Sequence, residues 1–184
     1  SKLIDTIKRE DCNGFIFLLS KKSESEIPIP HPVDNSILVS TRNSLKQRKI
    51  RTDYKNNKVN IYIDLKLNSQ LLYMYEYKAV SKDDIKKLEE AISDLTKKEV
   101  MFALEISKNK LKCDVFGFAR YFKADNPNVY KQINWEDEYP YADFYVNVKT
   151  TILNTNLIDV NAKKVKWKKL GNKVIKRFFL YSYE

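Results

Sequence analysis

Residues that usually signal catalysis, metal binding or a disulfide framework are scarce in this sequence. Its 184 residues include 1 histidine, 2 cysteines and 3 glycines. Cys12 and Cys113 are too few and too far apart to indicate a disulfide framework or a metal site. His31 lies between Pro30 and Pro32 without a nearby cysteine pair, so we interpret it as a structural loop residue rather than a metal ligand. No cofactor is expected.

Long apolar segments and phosphate-binding loops are also missing from the sequence. No run approaches the ~20 apolar residues that a membrane-spanning helix needs. The chain begins SKLIDTIKRED, with neither an initiator methionine nor an apolar signal core, and we expect it to be a piece of a longer protein or a processed form. Charged residues precede Cys12, which is therefore not predicted to carry a lipid.

Adjacent acids are present, but they do not predict an enzyme. The pairs Asp83-Asp84 and Glu136-Asp137 have no base, metal partner or sheltered cleft signalled around them. Neighbouring carboxylates in sequence are by themselves no sign of a tuned catalytic pair. We predict that the protein is not an enzyme.

Basic residues exceed acidic ones by 34 to 24, and the net charge of +10 is concentrated in two segments. Residues 42–58 carry +6 and residues 160–184 carry +7, which leaves −3 for the rest of the chain. Most of the excess is lysine, whereas arginine is the residue suited to bidentate phosphate and guanine contacts. The pattern favours an anionic lipid surface or an acidic partner over nucleic acid. The candidate anion-binding residues are Arg42, Arg48, Lys49, Arg51, Lys166, Lys168, Lys169 and Arg177.

The first part of the chain has the patterns of strands and extended connections. GFIFLLS, residues 14–20, predicts a buried strand, and SILVSTR, residues 36–42, predicts a second one. EIPIPHP lies between these two segments, and its three prolines exclude a helix or a central strand there. They predict an extended connection. KVNIYIDLKL, residues 58–67, alternates apolar and polar residues, as a strand with one buried face does. Asn56-Asn57 before it favours a tight turn.

A long amphipathic helix is predicted next. Ser81 is placed to cap its first turn, and the helix is expected to run for about thirty residues to Lys112. Its apolar positions recur every three or four residues and would face a core. They are Ile85, Leu88, Ile92, Leu95, Phe102 and Ile106.

Two further helices and a strand follow. Gly117 allows a kink or a close backbone approach, and Pro127 suits the first turn of a short helix through Gln132. The alternating ADFYVNVKTTIL, residues 142–153, predicts the last strand. This order predicts an α+β fold, a mostly antiparallel β-sheet with the long amphipathic helix and shorter helices packed on one face. The residues placed on one side of the second helix are Val115, Phe116, Ala119 and Phe122.

The C-terminal segment is set apart by its basic and aromatic composition. We divide the chain into a domain of residues 1–157 and a basic C-terminal extension of residues 158–184. Gly171-Asn172 between two β-compatible runs favours a hairpin in the extension. The alternative is a basic tail with aromatic residues that lies on a membrane surface.

The segment DVFGFARYFKADNPNVYKQINWEDEYPYADFYVNVKTTILNTNL, residues 114–157, resembles the signature of the C-terminal domain of the GerAC family. In that family a helix with Asp-(Ile/Val)-Phe-Gly-Phe-Gly precedes a proline-started helical turn. A Trp-(Asp/Glu) pair, an aromatic-Pro step and an alternating strand ending in Thr-Gly-Leu follow. The upstream order of segments fits too, so the resemblance covers residues 1–157. The matching positions are Asp114, Phe116, Gly117, Phe118, Pro127, Trp135, Glu136 and Pro140.

Three positions depart from the family pattern. Ala119 stands where the family has glycine, and Tyr130 stands where it often has tryptophan. Asn156 replaces the glycine before Leu157. Because asparagine also tolerates a positive φ, a turn at that position is still compatible with the sequence.

The resemblance implies a non-enzymatic C subunit of a spore germinant receptor, a membrane-anchored lipoprotein of spore-forming bacteria. It implies a place on the outer face of the spore inner membrane, through a lipid on a cysteine upstream of this chain. Integral membrane A and B subunits would be its partners, and the assembly would respond to nutrients such as amino acids or sugars. The family places the small-molecule pocket in a membrane subunit. From charge alone, the alternative is a peripheral basic domain that binds anionic phospholipid or nucleic acid.

The aromatic residues of FGFARYF, residues 116–122, have two interpretations. The plainer one is packing of helix on sheet inside the domain. The sharper hypothesis is that an exposed aromatic patch near Tyr121, Tyr130 and Tyr141 contacts another subunit, because interfaces favour aromatic side chains. Burial of all three rings would contradict it.

Overall fold

Four strands and five α-helices make up the part of the chain that the structure, a computed structural model, describes: residues 12–31, 34–74 and 81–154. The strands form one sheet in the order β1-β2-β3-β4, and the helices pack on one of its faces. β1 and β2, and likewise β2 and β3, pair antiparallel, whereas β3 and β4 are parallel. The predicted α+β fold with a mostly antiparallel sheet is therefore confirmed.

The bounds of the elements are as follows. The strands are Glu24–Pro30 (β1), Leu38–Lys55 (β2), Lys58–Met74 (β3) and Asp143–Asn154 (β4). The α-helices are Asn13–Leu19 (α1), Lys82–Glu105 (α2), Ala119–Asp125 (α3), Pro127–Tyr130 (α4) and Trp135–Glu138 (α5). α2 continues into a π-helical turn, Ile106–Leu111, and α5 into a 3₁₀ turn, Tyr139–Tyr141.

β3 carries the predicted alternation, which is confirmed. Asn56 and Asn57, with φ values of 54° and 58°, form the expected tight turn between β2 and β3, since a type I′ hairpin turn needs two positive φ values. The inward side chains of β3 are at most 1% exposed and form the centre of the larger hydrophobic cluster: Val59, Ile61, Ile63, Leu65 and Leu67.

α2 begins and ends as predicted. The Ser81 hydroxyl accepts the N–H of Asp84 at 3.1 Å, and the Asp84 carboxylate accepts the N–H of Ser81 at 3.0 Å. The hydrogen bonds from Ser81 lower the pKa of Asp84. After the π-helical turn, Lys112 ends the helical path with a φ of 47°. The placement of Phe102 toward the core was wrong: its side chain is 46% exposed, because the buried stripe runs through Val100 instead.

The apolar run GFIFLLS is a helix, α1, and not the predicted buried strand. A short apolar run does not distinguish a buried helix from a buried strand by periodicity. The contact of α1 with α2 favours the helix. A Cβ at Gly14 would lie 2.1 Å from the carbonyl oxygen of Glu99 and 3.0 Å from the Cβ of Ala103, so the two helices cross in backbone contact.

The proline-rich segment is a strand at the edge of the sheet rather than the predicted connection. Ile27 and Ile29 are buried, and Pro28 lies opposite Ser40 of β2. An edge strand tolerates proline because an N–H that faces away from the sheet has no ladder partner to lose. The prediction that this segment is not a central strand agrees with the place of β1 at the edge of the sheet.

The second helix starts later than predicted. Residues 113–118 form turns, with Gly117 at a φ of 69°, and α3 begins only at Ala119. Phe116 is therefore in a turn and not on the helix, and Val115 is exposed. α4 starts at the predicted proline and is shorter than expected. The hairpin predicted in residues 158–184 lies outside the described residues.

We expect Gly14→Ala to lower the free energy of unfolding by about 1–3 kcal/mol, the usual cost of overpacking. The added methyl group would have to push α1 away from the backbone of Glu99. Urea unfolding followed by circular dichroism measures the change. Leu19→Ala is the control, because Leu19 lies on the same helix and is 54% exposed. Unchanged stability of Gly14→Ala would contradict the close helix crossing.

Candidate interaction site

The motif segment builds a cluster of aromatic rings between the helices and the start of β4. Neighbouring ring centroids lie 5.2–6.4 Å apart, mostly tilted against one another, which is the favourable range for aromatic pairs. The turn before α3, α3 itself and the α5 region all contribute. The buried rings of the cluster are Phe116, Phe118, Phe122, Trp135 and Tyr139. The phenylalanines of FGFARYF are thus in the core.

Asp114 holds this cluster together through one carboxylate oxygen. Asp114 Oδ2 accepts the backbone N–H of Ala119 at 2.7 Å and the indole N–H of Trp135 at 3.2 Å. The first bond fixes the start of α3, and the second joins α5 to the turn. Gly117 lies inside that turn with a φ of 69°, in the left-handed region that favours glycine. Asp114, Gly117 and Trp135 of the family motif therefore act as one structural unit.

A second polar link in the cluster joins Tyr139 to Ser107, a residue that the sequence did not single out. The Ser107 hydroxyl donates to the carbonyl of Cys113 at 2.7 Å, so the hydroxyl of Tyr139, 2.6 Å away, donates to Ser107. Burial raises the pKa of Tyr139. This link ties the π-helical turn to the 3₁₀ turn. No sequence signal marked Ser107, because a serine in a helix is common. The aromatic-Pro step of the family pattern located Tyr139, but not its hydrogen bond to Ser107.

The three candidate interface tyrosines are not all buried. Tyr121 and Tyr130 are half-buried against the larger hydrophobic cluster. The ring of Tyr130 lies 6.4 Å from that of Phe122 and 6.3 Å from that of Trp135. Tyr141, in contrast, is 71% exposed. The condition that would have contradicted the hypothesis is not met, and Tyr141 is the most exposed of the three rings.

Tyr141 borders a shallow cleft of about 530 Å³ between the π-helical turn and α5. Charged groups of both signs line it, Lys112 on one side and Glu136 and Asp137 on the other. Lys108, also at the cleft, donates to the carbonyl of Ala142 at 2.8 Å. The motif residues Glu136 and Pro140 lie in the wall of this cleft, and Pro127 occupies the first turn of α4.

Three of the four candidate anion-binding residues in the described part of the chain already have partners. Arg42 pairs with Glu26 at 2.8 Å and Arg51 with Asp64 at 2.9 Å. Arg48 is half-buried and donates to the carbonyls of Phe17 and Ser20 at 2.8 and 3.1 Å, which caps α1, and burial lowers its pKa. Lys49 is exposed. The other candidates, Lys166, Lys168, Lys169 and Arg177, lie outside the described residues.

Within the described ranges, no group of three or more His, Cys, Asp or Glu side chains is arranged to hold a metal ion. Cys12 and Cys113 form no disulfide there. His31 is buried, and its backbone N–H donates to the backbone carbonyl of Ile37 at 2.8 Å. No helix among the described residues is long and apolar enough to cross a membrane.

The fold and the aromatic cluster define a class of α+β domain in which the motif residues contact one another and leave Tyr141 at the surface. Comparison with known proteins gives the family. The chain belongs to the family described as "Spore germination B3/ GerAC like, C-terminal", whose sequence profile matches residues 1–156.

Two relatives are similar to this chain over part of their own length. It is 25% identical over 154 residues to spore germination protein YndF of Bacillus subtilis (strain 168), a match that covers 82% of this chain and 38% of YndF. The crystal structure of the GerBC protein matches with a TM-score of 0.69 at 16% identity, over 83% of this chain and 48% of that one. The GerBC match shows a shared fold. The chain spans less than half the length of either relative.

We expect Asp114→Ala to lower the free energy of unfolding by about 2–3 kcal/mol, because it leaves two donors, the Ala119 N–H and the Trp135 indole N–H, without an acceptor. Asp114→Asn is the matched control, since its amide oxygen offers an acceptor at the same place and should cost less. Chemical unfolding of both variants measures the difference. A loss as large for Asp114→Asn as for Asp114→Ala would show that the charge, and not the acceptor oxygen, matters.

Proposed function

We propose that this chain is the C-terminal domain of a non-enzymatic C subunit of a nutrient germinant receptor. The full-length protein would act in spore germination by assembling with, or signalling to, integral membrane A and B subunits. It would lie on the outer face of the spore inner membrane, with a lipid anchor upstream of this chain. Membership of the GerAC-like family and the similarity to a spore germination protein support the proposal.

The single observation that carries the proposal in this chain is that the aromatic rings of the motif are buried, whereas the ring of Tyr141 is exposed. Phe116, Phe118 and Trp135 of the family motif are buried, and Asp114 binds donors within the motif. The segment therefore has a packing role, and what it presents outward is Tyr141 beside a cleft with both signs of charge. An exposed ring of this kind suits a protein contact, because aromatic side chains are enriched at interfaces and at their energetic centres.

Tyr141→Ala in the full-length protein tests the proposal in spores. We expect germination triggered by a mixture of amino acids and sugars to slow or stop, while the amount of the protein in the inner membrane stays normal. The physical reason is loss of a contact ring that is 71% exposed and so contributes little to folding. Germination is followed by the loss of optical density, and protein level by immunoblot.

Two variants control this experiment. Phe102→Ala removes another exposed ring, 46% exposed on α2, and should leave germination unchanged. Phe116→Ala removes a core ring, which typically costs about 3–5 kcal/mol, and should remove the protein together with the response. Normal germination of Tyr141→Ala spores would contradict the interface role of Tyr141. Normal germination of spores lacking the gene, with every tested nutrient, would contradict the receptor function.

The alternative function, a peripheral basic domain for anionic phospholipid or nucleic acid, stays a prediction. In the described part of the chain, Arg42 and Arg51 pair with acids and Arg48 caps a helix. These contacts reduce the free basic surface on which the alternative depends, so we favour the receptor subunit.

A further inference from the structure

Among the described residues, side chains of α2 accept backbone N–H groups from the outer edge of β4 only in the second half of the strand. β4 pairs with β3 on one side. On the other side, the N–H of Thr150 donates to Ser93 Oγ at 3.1 Å, and the N–H of Ile152 donates to Glu89 Oε1 at 2.8 Å. Acceptors on α2 thus take the place that a neighbouring strand would have at this end of β4.

The cover ends at the next turn of α2. Glu89 and Ser93 are followed at four-residue spacing by Lys97 and Met101, which lie beside the first half of β4. A lysine ammonium has no acceptor and a methionine sulfur is a weak one. Because N–H groups of a strand alternate between its two edges, those of residues 144, 146 and 148 point the same way as that of Thr150. We call residues 144–148 on this outer side the β4 edge.

A cleft of about 400 Å³ runs beside the β4 edge. Lys97 and Met101 line it from the helix, and Tyr62 and Tyr145 line it from the open face of the sheet. The two tyrosine rings stack with centroids 4.9 Å apart and planes 15° from parallel. Among the described residues, the cleft therefore offers a strand edge without a neighbouring strand, between the stacked tyrosine rings and α2.

The charge around the β4 edge is positive. Asp64, the carboxylate in the cleft, is bound by Arg51 at 2.9 Å and by the amide of Asn147 at 3.3 Å, so its charge is matched within the chain. Lys97 and Lys149 are exposed and form no ion pair with other described residues. Lys149 also lies directly opposite Lys66 of β3, a like-charged neighbour whose repulsion an acidic partner would relieve.

We propose that the β4 edge binds an extended acidic segment of a partner protein, which adds a strand to the sheet. Backbone carbonyls of the segment would accept the outward N–H groups of the edge, and its acidic side chains would lie near Lys97 and Lys149. Main-chain hydrogen bonds supply affinity in this mode, and flanking side chains supply selectivity. The inference rests on β4 and the parts of α2 and the sheet beside it, and it is independent of the receptor assignment.

A synthetic peptide is the probe, an acetylated seven-residue chain of alternating glutamate and valine. It is titrated into the ¹⁵N-labelled chain, and amide chemical shifts and hydrogen exchange are followed by NMR. We expect the amide signals of Phe144, Val146 and Val148 to shift and their exchange to slow. The same peptide with an N-methyl group on every residue is the control, because neither of its edges can then pair with a strand. A lysine-valine peptide tests the charge.

Two variants of the chain complete the test. Val148→Pro removes an outward N–H at a position where an edge strand tolerates proline, and should weaken binding at least tenfold. Lys97→Glu leaves the backbone unchanged. It should weaken binding of the glutamate peptide about tenfold, which corresponds to about 1.4 kcal/mol, and strengthen binding of the lysine peptide. Equal binding of the N-methylated peptide, shifts confined to other residues, or an unaffected Lys97→Glu variant would overturn the proposal. So would amides at the β4 edge that exchange as slowly in the free chain as those bonded to β3.

Discussion

The path of the chain after α2 depends on the two hydrogen bonds that one oxygen of Asp114 accepts. α2 runs the length of the sheet away from the end of β3, so the chain must reverse before it can add another strand. The bonds from the Ala119 N–H and the Trp135 indole fix that reversal at both of its ends. Because the reversal occurs at the far end of the sheet, β4 starts beside the start of β3 and is parallel to it. A crossover helix is the usual requirement for a parallel pair.

This path explains which parts of the fold the sequence could predict. The alternation of β3 was sufficient, since one buried face and one wet face impose a period of two on any such strand. The parallel pairing of β4 could not be read from its similar alternation, because direction is set by where the preceding helix ends. α1 was misassigned for a related reason: its helical form rests on the contact of Gly14 with the backbone of Glu99, eighty-five residues away in the sequence.

The sequence predicted where the residues of the site lie in the chain, but not what each of them does. The resemblance located Asp114 and Trp135, but only the geometry shows that they bind each other. Tyr139 and Tyr141 illustrate the limit, because they flank the same proline and have opposite surroundings. Tyr139 is buried with its hydroxyl on Ser107, whereas Tyr141 is exposed. Two residues along a 3₁₀ turn, which has three residues per turn, are enough to place the two side chains on different sides. Composition does not indicate which of the two is buried.

A row of three buried polar side chains divides the hydrophobic core into two clusters. This division helps to decide which end of the sheet is better suited to bind a partner. Ser25, Asn43 and Ser69 lie opposite one another across β1, β2 and β3, and all three are buried. They separate the larger aromatic cluster from a smaller hydrophobic one, which consists of Ile27, Ile29, Val39, Leu71, Leu88 and Ile92. The smaller cluster has fewer apolar contacts to lose, so we expect that end of the sheet to open locally more readily. Tyr141 and the β4 edge both adjoin the larger cluster. A partner that binds there meets side chains already held in place, which lowers the entropic cost of association.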